Sequence, residues 1–359
     1  MATKSAAAEM AQQPKTGPGT RLVSLDAFRG FTMFWLMGGK GFVMALAAAI
    51  GGSAAGLVAY QLDHSAWEGL RYYDLIWPSF MLMVGVSVPF SFARHPGLGR
   101  ALKRAAILFL LGALRESLSA GRPYLEELSS ALQPIAVAYL AAYWLARYRA
   151  RVAAWAAVGI LAGYALVLAF VPAPGIAAGT YVPNHNLVTW VDMQVLGRAH
   201  PEGWGTVICT VPTIATTLLG LIFGKLLIGT SSHATRMKAI AAAGVGCLAA
   251  GYALSPFIPV VMKLWTTTYG LLSAGWACLI FLFLYWLVDA RGYRRWAFPL
   301  TVIGMNALAA YLGPTLVPTH RIASIFVKPY GRLALASTVL AVNWLILLWM
   351  YRRKIFLRA

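Results

Sequence analysis

Long apolar runs separated by short polar breaks set the pattern of this chain. Runs near 27–48, 75–93, 103–119, 130–147, 152–171, 207–228, 237–254, 270–289, 297–316 and 334–351 stand out. Each approaches the ~20 residues that a helix needs to cross hydrocarbon. The pattern predicts an all-α, polytopic integral membrane protein of about ten transmembrane helices, with both termini on one side. Residues 1–20, MATKSAAAEMAQQPKTGPGT, are small and polar with Pro and Gly and no apolar core. They read as a disordered cytosolic leader rather than a signal peptide, and 21–359 as a single transmembrane domain.

Composition agrees. The chain is 60% hydrophobic and 11% charged, whereas a soluble domain carries about 25% charged residues. The net charge of +19 would suggest nucleic acid in a soluble protein, but the distribution of basic residues explains it otherwise. The side of the N-terminus takes Arg21, Arg29, Arg94, Arg104, Arg147, Lys225, Arg236, Arg291 and Arg352 with their basic neighbours, most of the 30 in the chain. Arg71, Arg115, Arg122, Arg198, Lys263, Arg321, Lys328 and Arg332 fall on the other side. This asymmetry places both termini in the cytosol and leaves no need for a nucleic-acid partner. Cys209, Cys247 and Cys278 lie apart within apolar runs, with neither metal spacing nor a disulfide framework.

Two outward loops, about 49–74 and 172–206, are the expected place for a substrate mouth. The second carries Asn184, His185, Asn186, Trp190, Asp192 and His200. Polar chemistry concentrates at the end of the first, in QLDHSAWEGLRYYDLIWPSF (61–80). His64 is a candidate base, removing a proton from an attacking amine or hydroxyl. It could equally be a nucleophile, or a loop histidine that only hydrogen-bonds. Asp63 or Asp74 could orient its ring or hold a cationic acceptor, with Trp67 and Glu68 close behind. Asp74 also reads as the N-cap of the second span, with Pro78 in the first turn.

Other polar residues sit within the spans. Asp26 and Arg29, three apart, share a helical face, either as an interfacial ion pair or with Arg29 facing a phosphate-bearing ligand from the cytosol. Lys40, between Gly39 and Gly41, either faces a cavity or snorkels from a span end. Thr213, Thr216, Thr217 and Gly220 have helix-packing spacing. Gln133, Tyr139, Trp265, Thr266, Asn306 and Tyr311 could line a polar tunnel.

Six stretches occur in an order that resembles a known family. They are RLVSLDAFRGFTMFW, LDHSAWEGLRYYDLIWPSFMLMVGVSVPFSF, LQPIAVAYL, HPEGWGTVICTVPTIATTLLGLIFGK, KLWTTTYGLLSAG and VIGMNALAAYL. From Arg21 onward the chain is similar to the transmembrane acyltransferases related to heparan-α-glucosaminide N-acetyltransferase, most of all to bacterial members with the catalytic membrane domain alone. The resemblance implies acetyl transfer from cytosolic acetyl-CoA to an extracytoplasmic amino sugar or glycan in a bacterial inner membrane, with membrane lipids around it, a homodimer as a plausible assembly and no metal. The family's catalytic histidine segment, H-A-S-W-N-G, corresponds to HSAWEG here and carries the role onto His64, with Asp74 beside it. Asp63, Trp67, Glu68, Lys40 and Asn306 become the candidate acceptor-side residues. Asp26, Arg29, Arg104, Thr217 and Lys225 become those for acetyl-CoA. Lys40 is a departure, because relatives hold Asn or an acidic residue there. A lysine would repel an ammonium and lower a nearby imidazole's pKa. A sugar transporter, an O-acyltransferase acting on an envelope polysaccharide and a non-catalytic scaffold are the rival expectations.

Overall fold

The computed structural model describes residues 22–121 and 131–357. The leader, Arg21 and the first residue of the expected run at 130–147 lie outside them. The first run forms one continuous helical segment, Val23–Ile50. Within it α1 (Val23–Phe34) passes through a π-helical turn (Trp35–Gly39) into α2 (Lys40–Ile50). Gly38 in the turn has φ 134°, a conformation that strains any residue with a side chain. The buried Asn343 amide donates to the Met37 carbonyl at 2.7 Å, supplying a partner where the helical ladder is disturbed.

A helix, α3 (Gly52–Gln61), occupies part of the first outward loop, and a 3₁₀ turn (Tyr72–Leu75) leads into α4 (Ile76–Arg94). Then come α5 (Leu98–Ala120), α6 (Leu132–Leu145) and α7 (Ala150–Phe170). The second outward loop holds a small hairpin, β1 (Tyr181–Val182) with β2 (His185–Asn186), and α8 (Leu187–Leu196). Asn186 caps α8, accepting from the Thr189 amide at 2.9 Å. The chain continues through α9 (Thr210–Ile228), α10 (His233–Leu254) and α11 (Thr267–Tyr285). It ends with α12 (Phe298–Met305), α13 (Ala307–Leu316), α14 (Thr319–Val327) and α15 (Arg332–Arg352).

Among the described residues the fold is all-α apart from the hairpin, and seven of the helical segments are long and apolar enough to cross a membrane. These contain α1–α2, α4, α7, α9, α10, α11 and α15, and they make this a multi-pass membrane protein. The other three expected runs fall on less uniform elements. The α5 helix carries Arg100, Lys103, Arg104, Arg115 and Glu116, α6 has 14 residues, and Asn306 separates α12 from α13.

Burial separates centre from periphery. The apolar windows of α4 and α9 are each 61% buried and that of α11 56%, whereas those of α7 and α10 are 17% buried. The outer helices expose Trp155, Phe170, Tyr252 and Trp349. So much contiguous apolar surface suits lipid rather than water.

Glycine lets the central helices meet backbone to backbone. A Cβ at Gly85 of α4 would lie 1.9 Å from the Thr217 carbonyl oxygen of α9, and one at Gly220 would lie 2.0 Å from that of Leu82. The same closeness joins α1 to α12, where Gly30 abuts Leu300 and Gly304 abuts Asp26. Between membrane helices, small residues allow the close packing that holds them together. Gly220→Ala is therefore expected to lower stability by at least about 1–3 kcal/mol, the usual cost of overpacking. Gly246→Ala, whose Cβ meets nothing within 4 Å, should leave it nearly unchanged. Thermal unfolding of both variants in one detergent measures the difference.

Candidate functional site

Asp74 stands third in the 3₁₀ turn before α4, so it is not the N-cap of that helix, a position Leu75 takes. Its carboxylate closes the turn instead, accepting from the Arg71 amide at 2.9 Å and the Ser65 amide at 3.3 Å on Oδ2. The other oxygen, Oδ1, meets His64 Nδ1 at 2.8 Å. The residue is 1% exposed. A buried carboxylate is tolerable only when its lone pairs are matched by donors, and here three supply them. An ionised carboxylate only accepts, so His64 Nδ1 carries the proton and Nε2 the lone pair.

The imidazole is fixed from both sides. The rings of Tyr73 and Trp204 lie edge-on to it at 4.9 and 5.7 Å. Below, KLWTTTYG forms a platform. Thr266 caps α11 and also accepts from the Val261 amide at 3.0 Å, Thr267 donates to Leu161 of α7 at 2.8 Å, and the Tyr269 hydroxyl donates to the Asp74 carbonyl at 2.7 Å. Trp265, with φ 46°, packs edge-on against Trp77 at 4.8 Å.

His64 and Asp74 border a cavity of about 280 Å³ together with Tyr73, Trp77, Arg115, Glu116, His200, Trp204, Cys209 and Tyr311, among others. Both outward loops contribute, tied together by the Trp67 indole, which donates to the Tyr181 carbonyl at 2.8 Å. Asp192 shapes the far wall, its carboxylate accepting from the Thr206 and Val207 amides at 2.9 Å each just before α9. Burial raises its pKa, against the pull of those backbone bonds.

The remaining acceptor-side candidates do not line this cavity. Trp67 joins the loops. Glu68 is exposed, with its backbone in a bridge to Val261. Lys40 Nζ lies 3.6 Å from Asp63 Oδ1 and 4.3 Å from the centre of the Tyr73 ring. It thus stands one residue behind the histidine, its charge answered by a carboxylate. For Asp63, slight burial works to raise the pKa, but the backbone bond with His64 and the Lys40 charge outweigh it and hold the group low. Asn306 is fully buried elsewhere, donating to the Ile355 carbonyl and accepting from the Leu357 amide, both at 3.1 Å.

The donor-side candidates lie away from the cavity as well. Arg29 pairs with Asp26 at 3.3 Å and donates to Ser87 Oγ. Lys225 donates to the carbonyls of Ala146, at 2.8 Å, and Tyr148, closing the end of α6. Arg104 stacks over Tyr139 at 4.8 Å, and its buried Nε has no hydrogen-bond partner among the described residues. Thr217 packs in the α4–α9 seam and donates to the Thr213 carbonyl at 3.2 Å. Among the described residues no group of His, Cys, Asp and Glu could hold a metal ion.

Sequence reasoning passed over Arg115 and Glu116 as wall residues. The signal was there, since two adjacent opposite charges close an otherwise apolar run, LFLLGALRESL (108–118).

No family model matches the chain. It is similar to the heparan-alpha-glucosaminide N-acetyltransferase of Mus musculus, 23% identical over 387 residues, covering 86% of this chain and 56% of that protein. It is also similar to that of Homo sapiens, 23% identical over 379 residues, covering 82% and 52%. The similarity is distant but broad. The chain spans about half the length of these curated relatives, and the matched portion takes in most of the fold described above.

Asp192→Asn replaces one accepting oxygen with a donor that faces another donor. A loss of about 1.5–3 kcal/mol is expected, the usual worth of a hydrogen bond to a charged group, read as a lower unfolding temperature in detergent.

Proposed function

We propose that this protein is an acetyl-CoA-dependent membrane acetyltransferase, moving an acetyl group from cytosolic acetyl-CoA to an extracytoplasmic amino sugar of glucosamine type. The observation that carries the proposal is the His64–Asp74 pair on the wall of an outward cavity. The distant similarity to two N-acetyltransferases supports the reaction class. The charge asymmetry supports ten crossings with both termini cytosolic, counting α5, α6 and the α12–α13 pair, and the resemblance to bacterial members of the family supports a bacterial inner membrane as the location.

The chemistry follows from the tautomer. An amine nitrogen attacks the thioester carbonyl and forms the C–N bond. His64 Nε2 takes the proton that the nitrogen sheds, the C–S bond breaks, and the leaving thiolate recovers that proton from the imidazolium. Asp74 holds the ring and stabilises its transient charge, as a buried carboxylate does behind a catalytic histidine. If Nε2 attacked the thioester first, the same lone pair would carry the acetyl group briefly. Tyr73 and Trp204 restrict the ring to one orientation, which lowers the entropy lost on the way to reaction.

The donor's phosphates would meet basic groups at the cytosolic helix ends, where Arg104, with its unpartnered buried Nε, is the best placed of the candidates. Arg29 and Lys225 would have to exchange the protein acceptors that now hold them. The Lys40–Asp63 pair bears on the acceptor. With its charge balanced, Lys40 repels an incoming ammonium less than its sequence position implies.

His64→Ala should abolish acetyl transfer to glucosamine while leaving saturable acetyl-CoA binding in place. Near wild-type transfer in that variant would refute the assignment. Asp74→Asn retains the size but not the charge behind the ring, so a fall of about 10²–10⁴-fold in kcat is expected. Steady-state release of CoA thiol measures both.

A further inference from the structure

The cavity needs a group that recognises a cationic acceptor, and the carboxylates nearest the histidine in sequence are badly placed to do it. Asp74 is enclosed and occupied by three donors. The Asp63 side chain is 67% exposed and paired with Lys40. Glu68 is exposed and is not among the lining residues. The wall contains one more acid among the described residues, Glu116 at the outward end of α5.

Glu116 is well prepared for such a task. Its Oε1 accepts from Arg115 Nη1 at 2.6 Å, while Oε2 has no hydrogen-bond partner among the described residues. Arg115 is itself anchored, its guanidinium lying over the Tyr311 ring of α13 at 4.5 Å. Its Nε is buried without a partner among the described residues. The guanidinium also lies close enough to Tyr73 to act on its hydroxyl electrostatically, and Tyr73 is the ring that abuts His64. Acid, guanidinium, phenol and imidazole therefore follow one another along a single wall. The Arg115 contact limits the rotamers of Glu116, so little entropy remains to be lost when a ligand arrives.

We infer that Glu116 is the specificity-determining residue for the acceptor, holding its ammonium through Oε2 and selecting amino sugars over neutral sugars. This rests on the reading of the site as an amino-sugar acetyltransferase. The balance of the reaction is kept. The bound ammonium loses one proton to the outward solvent and a second to His64 Nε2 as the C–N bond forms. The C–S bond breaks, and CoA leaves as the thiol with the proton that His64 returns.

The test compares full-length wild type, Glu116→Gln and Glu116→Asp in detergent, with glucosamine and glucose as probes. Binding is measured directly by calorimetry and transfer by CoA thiol release. The glutamine variant should bind glucosamine about 10- to 100-fold more weakly, the worth of one charge-assisted hydrogen bond. Its KM should rise similarly while kcat stays within a few fold, and acetyl-CoA binding should not change. The aspartate variant should recover part of the affinity, which a folding defect in the glutamine variant would not explain. Glucosamine affinity unchanged in Glu116→Gln, no preference for glucosamine over glucose in wild type, or no glucosamine binding by wild type overturns the inference. The acetyltransferase reading fails separately, if His64→Ala still transfers acetyl, since glucosamine binding at Glu116 does not need that histidine.

Discussion

A carboxylate buried within a membrane protein must have its oxygens answered, and much of this architecture serves that need for Asp74. Two backbone amides and an imidazole supply the donors. The turn that presents those amides is held in place by Tyr269, which reaches its carbonyl from α11. Tyr269 in turn depends on the Thr266 cap and the Trp265 stack. Removing any layer exposes or strands the charge, and an unmatched buried charge costs far more than a single lost hydrogen bond returns. The orientation of His64 is thus a property of three helices and two loops rather than of its own segment.

Much of this was legible in the chain. Apolar runs of bilayer length located seven helical segments long and apolar enough to cross a membrane. The stretch 61–80 marked the histidine and its acid because polar residues are costly beside hydrocarbon and accumulate where they are needed. Less legible were contacts between distant segments. Nothing in the spacing of Asn306 reveals that its amide binds the backbone at Ile355 and Leu357. Glu116 is separated from His64 by α4 and most of its own helix, α5, and its place on the same wall is a matter of packing. The α3 helix was hidden in a stretch of small residues, GSAAGLVAYQ, that reads as loop because its apolar face is weak.

Charge also looks different in three dimensions. A surplus of +19 along the chain suggests a strongly basic object, yet two cations near the site have carboxylate partners. Lys40 faces Asp63, and Arg115 faces Glu116. Coulombic attraction between partners at 2.6 and 3.6 Å exceeds that from remote loops that salt screens within about 10 Å. The cavity wall at Arg115 and Glu116 is therefore locally paired despite the net surplus.

The Tyr269 hydroxyl and the Asp74 carbonyl are 195 positions apart. A ribosome adding about 5–20 residues per second needs about 10–40 s to cover that interval. Throughout it, the segment bearing the histidine is already made while its support does not yet exist. The His64–Asp74 pair consequently gains this support only once α11 has begun to be made. Until then, Asp74 must find other donors, such as water.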